Sequence, residues 1–301
     1  MIRFLLKGLI RDKHRSFLPF LVTSSGVMLT VVFHAWMTGV IGNSIEFNAR
    51  FSTGHAKIMT RAYSDNATQA PNDLAILGTD TLSAIISSFV PEMEFAERIY
   101  FGGIVDVPDK NGETRAQGPA MGIGIDLLSG RNIEAERLNI IPSLKTGHLP
   151  AAKNEVLLSK TFADKLNLRP GDTMTLVTTS MYGEFTLYNF ILSGTVEFGT
   201  TALDRGTIIA DINDVRDALN MSGAAGEILG FLKTGVYNDE MATAIAGRFN
   251  KKFSDEQDEF SLIMKTLPQL NNMGFLVEYS DKIQSILVAV FIFAMSLILW
   301  N

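Results

Sequence analysis

The stretch Phe17-Leu18-Pro19-Phe20-Leu21-Val22-Thr23-Ser24-Ser25-Gly26-Val27-Met28-Leu29-Thr30-Val31-Val32-Phe33-His34-Ala35-Trp36-Met37-Thr38-Gly39-Val40-Ile41 decides how this chain is organised. His34 is its only ionisable side chain. At about 1.5 Å rise per residue, these residues extend roughly 37 Å, enough to cross a ~30 Å hydrocarbon core with some tilt. The segment reads as a transmembrane helix. Pro19 falls in the first turn, where its missing N–H would have had no intrahelical partner. A cleavable signal peptide has an apolar core of about 7–15 residues followed by a small-x-small site. Val40-Ile41-Gly42-Asn43-Ser44 offers no such site, so an uncleaved anchor is expected.

Ahead of this helix, residues 1–16 carry Arg3, Lys7, Arg11, Lys13 and Arg15 against Asp12, a local +4. The whole chain has 26 basic and 32 acidic residues, net −6, so the remainder sums to −10. Lys and Arg stay cytosolic, which puts the N-terminus inside and the following domain outside. Within residues 2–15, Arg3, Lys7, Arg11 and Arg15 recur every fourth position, opposite Leu5, Leu6, Leu9 and Ile10. Two readings are open, an amphipathic helix lying at the interface or a basic flank that only fixes topology. Inside the span, Thr23, Gly26, Thr30, His34 and Thr38 form one stripe at helical spacing, the kind of face on which membrane helices pack. A polar contact within a bundle is the reading favoured for His34 over a proton relay.

Ile283 to Trp300 is a second charge-free segment, just long enough to span. Residues 283–301 are therefore expected to be transmembrane helix 2, a buried core helix being the alternative. No Lys or Arg follows it, from which we expect the sequence to be a fragment of a longer protein.

Between the two, residues 42–282 alternate strand and helix signals and predict an α+β (mixed α/β) extracytoplasmic domain flanked by transmembrane helices. Strands are expected at 55–61, 95–107, 114–125, 173–179, 185–198 and 227–233. Asn111-Gly112 marks the turn between the second and third. Helices are expected at 79–89 with a Thr79 cap, from an Asp211 cap to Leu219, and at 239–252. Ser261 to Lys282 reads as a stalk leading into the second span.

The residue inventory argues against chemistry. Zero cysteines exclude disulfides and thiolate sites. There is no Gly-x-x-x-x-Gly-Lys-Ser/Thr phosphate loop and no Gly-x-Ser-x-Gly elbow. Gly122-x-Gly124 reads as a strand or turn feature. His14, His34, His55 and His148 are scattered too widely for a zinc site. Asp211, Asp214 and Asp217 read as the cap and solvated face of one helix. No catalytic, cofactor-binding or metal-ligating residue is assigned, no cofactor is expected, and the acidic balance argues against nucleic acid.

The run Leu144-Lys145-Thr146-Gly147-His148-Leu149-Pro150-Ala151-Ala152-Lys153-Asn154-Glu155-Val156-Leu157-Leu158-Ser159-Lys160, continuing through Leu166-Asn167-Leu168-Arg169-Pro170-Gly171-Asp172-Thr173, resembles the periplasmic core of MacB/FtsX-type ABC transporter permeases. Gly122-Ile123-Gly124-Ile125-Asp126, Ser193-Gly194-Thr195-Val196 and Ile208-Ile209-Ala210-Asp211 fit the same pattern. Ser52-Thr53-Gly54-His55-Ala56-Lys57-Ile58 and Ala62-Tyr63 look most like the lipoprotein-releasing (LolC/LolE-like) branch. Physically, Pro170-Gly171-Asp172 is a tight turn and Glu155-Val156-Leu157-Leu158 a buried strand, so these residues are scaffold.

The resemblance implies a multi-pass inner-membrane protein with a periplasmic MacB-like core domain, paired with a second permease subunit, identical or not, and with a cytosolic ABC ATPase. It also implies contact with membrane lipid and with a lipoprotein or other periplasmic protein, and movement of the exported domain by nucleotide cycling. The family's later two helices and ATPase-contacting loop lie outside these residues. A bitopic sensor, such as a receptor kinase or chemoreceptor, shares the layout and is the competing reading. A regulator of cell-wall hydrolases, from the cell-division branch, is a third.

Overall fold

The computed structural model describes residues 13–270, with 274, 282, 285–294 and 296. The expected basic segment at residues 1–12, most of the expected stalk beyond residue 270 and the ends of the second hydrophobic segment lie outside the described residues. The chain divides into two units, Met1–Asn48 with Pro268–Asn301, and Ala49–Leu267.

In the first unit, helix α1 (Lys13–Asn48) runs for 36 residues. It continues past its apolar stretch, and there Ser44 and Asn48 bond back to the carbonyls of Val40 and Ser44, both at 2.9 Å. The helical segment from Phe20 to Thr53 is long and apolar enough to cross a membrane. Its half-covered positions, Val22, Gly26, Thr30, Phe33, Met37 and Ile41, fall at three- and four-residue steps. Thr23, His34 and Thr38 lie off that stripe, and the Thr30 hydroxyl bonds Gly26 O of its own helix at 2.8 Å. Ser285–Ala294 is a shorter apolar helix.

The second unit opens with a π-helical turn (Ala49–Thr53), β1 (Ala56–Thr60), α2 (Arg61–Asp65), β2 (Ile76–Leu77) and α3 (Thr79–Phe89). Next come β3 (Met93–Pro108), β4 (Thr114–Ile125), α4 (Ile133–Arg137), α5 (Ile140–Ser143), β5 (Leu144–Gly147), β6 (Glu155–Ser159) and α6 (Lys160–Leu166). The remainder is β7 (Thr173–Thr179), β8 (Phe185–Val196), α7 (Thr201–Asp204), β9 (Thr207–Asp211), α8 (Ile212–Leu219), β10 (Ala224–Ala225), β11 (Glu227–Leu232), α9 (Asp239–Phe253) and β12 (Leu262–Thr266). The mixed α/β class is as the sequence predicts.

The main sheet runs β12-β1-β11-β3-β4-β9-β6-β8-β5, and β7 pairs with both β3 and β8. That double pairing closes β3, β4, β9, β6, β8 and β7 into a barrel, leaving β12, β1 and β11 as a wing on the first half of β3. Along β4, Gly118, Ala120, Gly122 and Gly124 are inward-facing, because larger residues need their space. Phe101 stands directly across from Gly122, where a Cβ would fall 1.9 Å from the Phe101 ring. Val215 of α8 fills the place beside Gly124. Phe162 and Leu166 of α6 join the same core with Phe190, Leu192 and Ile208. Outside the barrel, α4 and α5 cover Ile123, Ile125, Leu157 and Ile209. The wing has its own core, where α3 and α9 pack Ile86, Ile245 and Phe249 on Ile58 and Ile228.

Two expectations are corrected. Helix α3 is capped by Gly78 in the left-handed region rather than by Thr79, whose hydroxyl instead donates to Glu97 Oε2 at 3.0 Å. The beginning of the expected stalk is the edge strand β12, with Thr266 in register with Ala56. The short apolar run Leu262-Ile263-Met264, paired along β1, favours a strand there.

An edge strand invites pairing with other chains unless it is blunted. Asn250 of α9 blunts this one by donating to Met264 O at 2.9 Å and accepting from Met264 N at 2.7 Å. Asn250→Leu strands both groups. It is expected to cost about 1–3 kcal/mol in urea unfolding and to raise concentration-dependent self-association in size-exclusion chromatography.

Candidate functional site

The run from Leu144 to Asp172 is the frame on which the barrel's lower loops hang. Asn154 sits in the left-handed region at φ 67°. Its N–H donates to Asp214 Oδ2 at 2.8 Å, and its side-chain oxygen accepts from the Tyr188 hydroxyl at 2.7 Å. Glu155 Oε2 accepts from the N–H groups of Ala151 and Ala152 at 2.7 and 3.2 Å. Asp172 closes its turn by accepting from Arg169 N at 2.8 Å. Gly147 is the one residue its place admits, since a Cβ there would lie 2.0 Å from Ser193 O.

Of the three aspartates expected as cap and solvated face of one helix, Asp211 is the cap but is buried, and Asp214 is buried too. Asp211 caps α8 by accepting from Asn213 N at 2.9 Å and also holds the N–H groups of Leu127 and Leu128, each at 3.1 Å. Asp214 holds Asn154, and burial raises its pKa against the pull of that hydrogen bond. Only Asp217 faces solvent, paired with Lys153 at 2.7 Å. His55 is buried and its Nδ1 accepts from Leu232 N at 3.0 Å, while His148 lies exposed on the loop after β5. Among the described residues no group of three His, Asp or Glu side chains is arranged to hold a metal ion.

Two surface features stand out. The first is an apolar row across the outside of the barrel. Leu187 pairs with Val177, Val177 with Ile104 and Ile104 with Pro119, across β8, β7, β3 and β4. Leu187 is 72% exposed; Phe185, two residues before it on β8, and Met121, two residues after Pro119 on β4, are 89% and 77% exposed. Beyond Phe185, Tyr182 projects from the turn joining β7 to β8. Large apolar side chains clustered in water mark a contact surface. The sequence predicts a strand at 185–198 without marking this face, and only the β3–β7 pairing joins the four strands into one row.

The second feature is a charged cleft of about 760 Å³ between the wing and the barrel, lined by Asp80, Glu94, Glu97, Glu134, Arg137 and Arg216 among others. Two of its arginines are answered locally. Arg216 bonds Glu97, whose other oxygen accepts from Ser83 Oγ at 2.5 Å. Arg137 bonds Glu134, reaches Glu94 at 3.5 Å and lies 3.8 Å over the Phe231 ring. Beneath the cleft, the fully buried Arg98 bonds Glu134 at 2.8 Å. Burial works against the charge of Arg98, but the Glu134 carboxylate and Tyr100 outweigh it and hold the guanidinium protonated. Tyr100 is itself pushed up to about 12, chiefly by burial.

No protein-family model matches the chain. No curated protein matches it either. Among solved structures, the periplasmic region of MacB from Actinobacillus actinomycetemcomitans is similar at 14% identity and a TM-score of 0.46, covering 72% of this chain and 91% of that one.

Proposed function

We propose that this chain is the permease subunit of an ABC transporter of the mechanotransmitting MacB/FtsX type, moving a lipoprotein or another lipid-linked or peptide substrate from the outer face of the inner membrane. The run from Leu144 to Asp172 carries this reading, because its resemblance to such permeases resides in the residues that shape the barrel. The apolar helix α1 and the second apolar helix on either side of the domain support it. In this reading the N-terminus is cytosolic, the domain is periplasmic and the chain pairs with a second permease subunit. The chain performs no catalysis itself, since ATP hydrolysis falls to a cytosolic partner. The apolar row then meets the acyl or apolar part of the cargo.

Co-purification of the full-length protein from membranes tests the assignment. Recovery of an ATP-binding partner is the expected outcome, and its absence from an extract that keeps other transporters intact would count against a transporter. Leu187→Asp and Phe185→Asp are expected to leave stability within about 0.5 kcal/mol. Each should nevertheless reduce photo-crosslinking of radiolabelled lipoprotein to the barrel in spheroplasts.

A further inference from the structure

We infer that arginine–carboxylate staples on both faces of a two-strand junction lock the wing and the barrel into one rigid lever. The chain leaves the wing within β3, whose partner changes from β11 at Arg98 to β4 at Ile99. It returns at Glu227, the residue paired with Arg98. Two adjacent strands are thus the whole covalent link, and a ribbon of that kind bends unless something braces it.

Consecutive residues of a strand point to opposite faces, and Glu97 and Arg98 use both. On one face Arg216, from the barrel's α8, bonds Glu97 and places Nη2 3.0 Å from Thr79 Oγ1 of the wing. On the other, Arg98 bonds Glu134 of α4, and Arg137 of the same helix reaches Glu94 and stacks on Phe231 of the wing. Arg98 and Glu134 are 0% and 4% exposed, and Arg216 and Glu97 are 11% and 21% exposed. Pairs this shielded from water hold their geometry, whereas exposed pairs exchange freely with solvent.

Both ends of the unit lie in the wing, at neighbouring strands β1 and β12. A displacement applied at those ends reaches the barrel across the ribbon and through Phe51, whose ring meets Phe198 at 5.5 Å and whose carbonyl accepts from the Tyr100 hydroxyl at 2.9 Å; the staples are the charged part of that link. With the staples in place the barrel follows the wing; without them it lags. This holds whatever drives the motion, so it stands apart from the transporter assignment.

The sequence contains no cysteine, so Lys251→Cys on α9 and Lys165→Cys on α6 give two unique spin-label sites in the full chain in detergent micelles. Pulsed electron paramagnetic resonance should yield a narrow distance distribution for this parent. Adding Arg216→Ala or Arg137→Ala should broaden it, and both together should broaden it further. Lys153→Ala, which breaks a surface ion pair between two parts of the barrel, should leave it unchanged. Glu97→Gln keeps the shape of the side chain and removes its charge; as the milder variant it must also broaden the distribution. A parent-like width in any staple variant with native circular dichroism would overturn the inference, as would equal broadening by Lys153→Ala.

Discussion

Glu134→Ala is expected to destabilise the folded domain by about 3–5 kcal/mol, because it leaves Arg98 charged and alone in a buried site. Glu134 accepts from Arg98 Nε at 2.8 Å through one oxygen and bonds Arg137 through the other. Arg98 loses its carboxylate partner and has no route to water, while Arg137 keeps only Glu94 at 3.5 Å. Chemical denaturation of the purified chain followed by circular dichroism measures the cost. Asp164→Ala supplies the contrast, since its partner Lys160 lies one helical turn away on an exposed face, where such pairs contribute about 0.3–0.5 kcal/mol. A loss below about 1 kcal/mol for Glu134→Ala would mean that the ion pair does not stay buried and paired in solution.

The second large effect is expected for Asp211→Ala. This side chain is 1% exposed, and its oxygens take the backbone N–H groups of Leu127, Leu128 and Asn213. Losing the cap costs about 1 kcal/mol, and each further amide left without an acceptor adds about 1 kcal/mol or more. Asp211→Asn retains one good acceptor, so it should fall between alanine and the parent. Hydrogen exchange gives a second readout, since the amides of Leu127 and Leu128 should lose protection in the alanine variant. Unchanged protection there would show that Asp211 serves α8 alone.

Much of the fold was legible because local signals report local structure. The β3–β4 hairpin follows from its turn residues, although the carboxylate of Asp109, accepting from Asn111 N at 2.8 Å and Glu113 N at 2.9 Å, organises the turn. Among its residues only Gly112 takes a positive φ. The Asp211 cap and the strand Glu155–Leu158 were equally local. Closure of the barrel was not, since Ile104 meets Val177 across a separation that periodicity does not encode. The staples were hidden for the same reason. Arg98 sits in an otherwise half-apolar strand and Glu134 on a five-residue helix, and neither pattern announces an inward-facing charge. Asp214 was misread because helix periodicity marks a face without saying what covers it.

The side-by-side termini of the second unit bear on how such a body could be handled. With Ala56 opposite Thr266, a short loop could join the two strands where the flanking segments now attach. The unit could thus be excised as a closed module, or grafted into a surface turn of an unrelated host, without stretching either end.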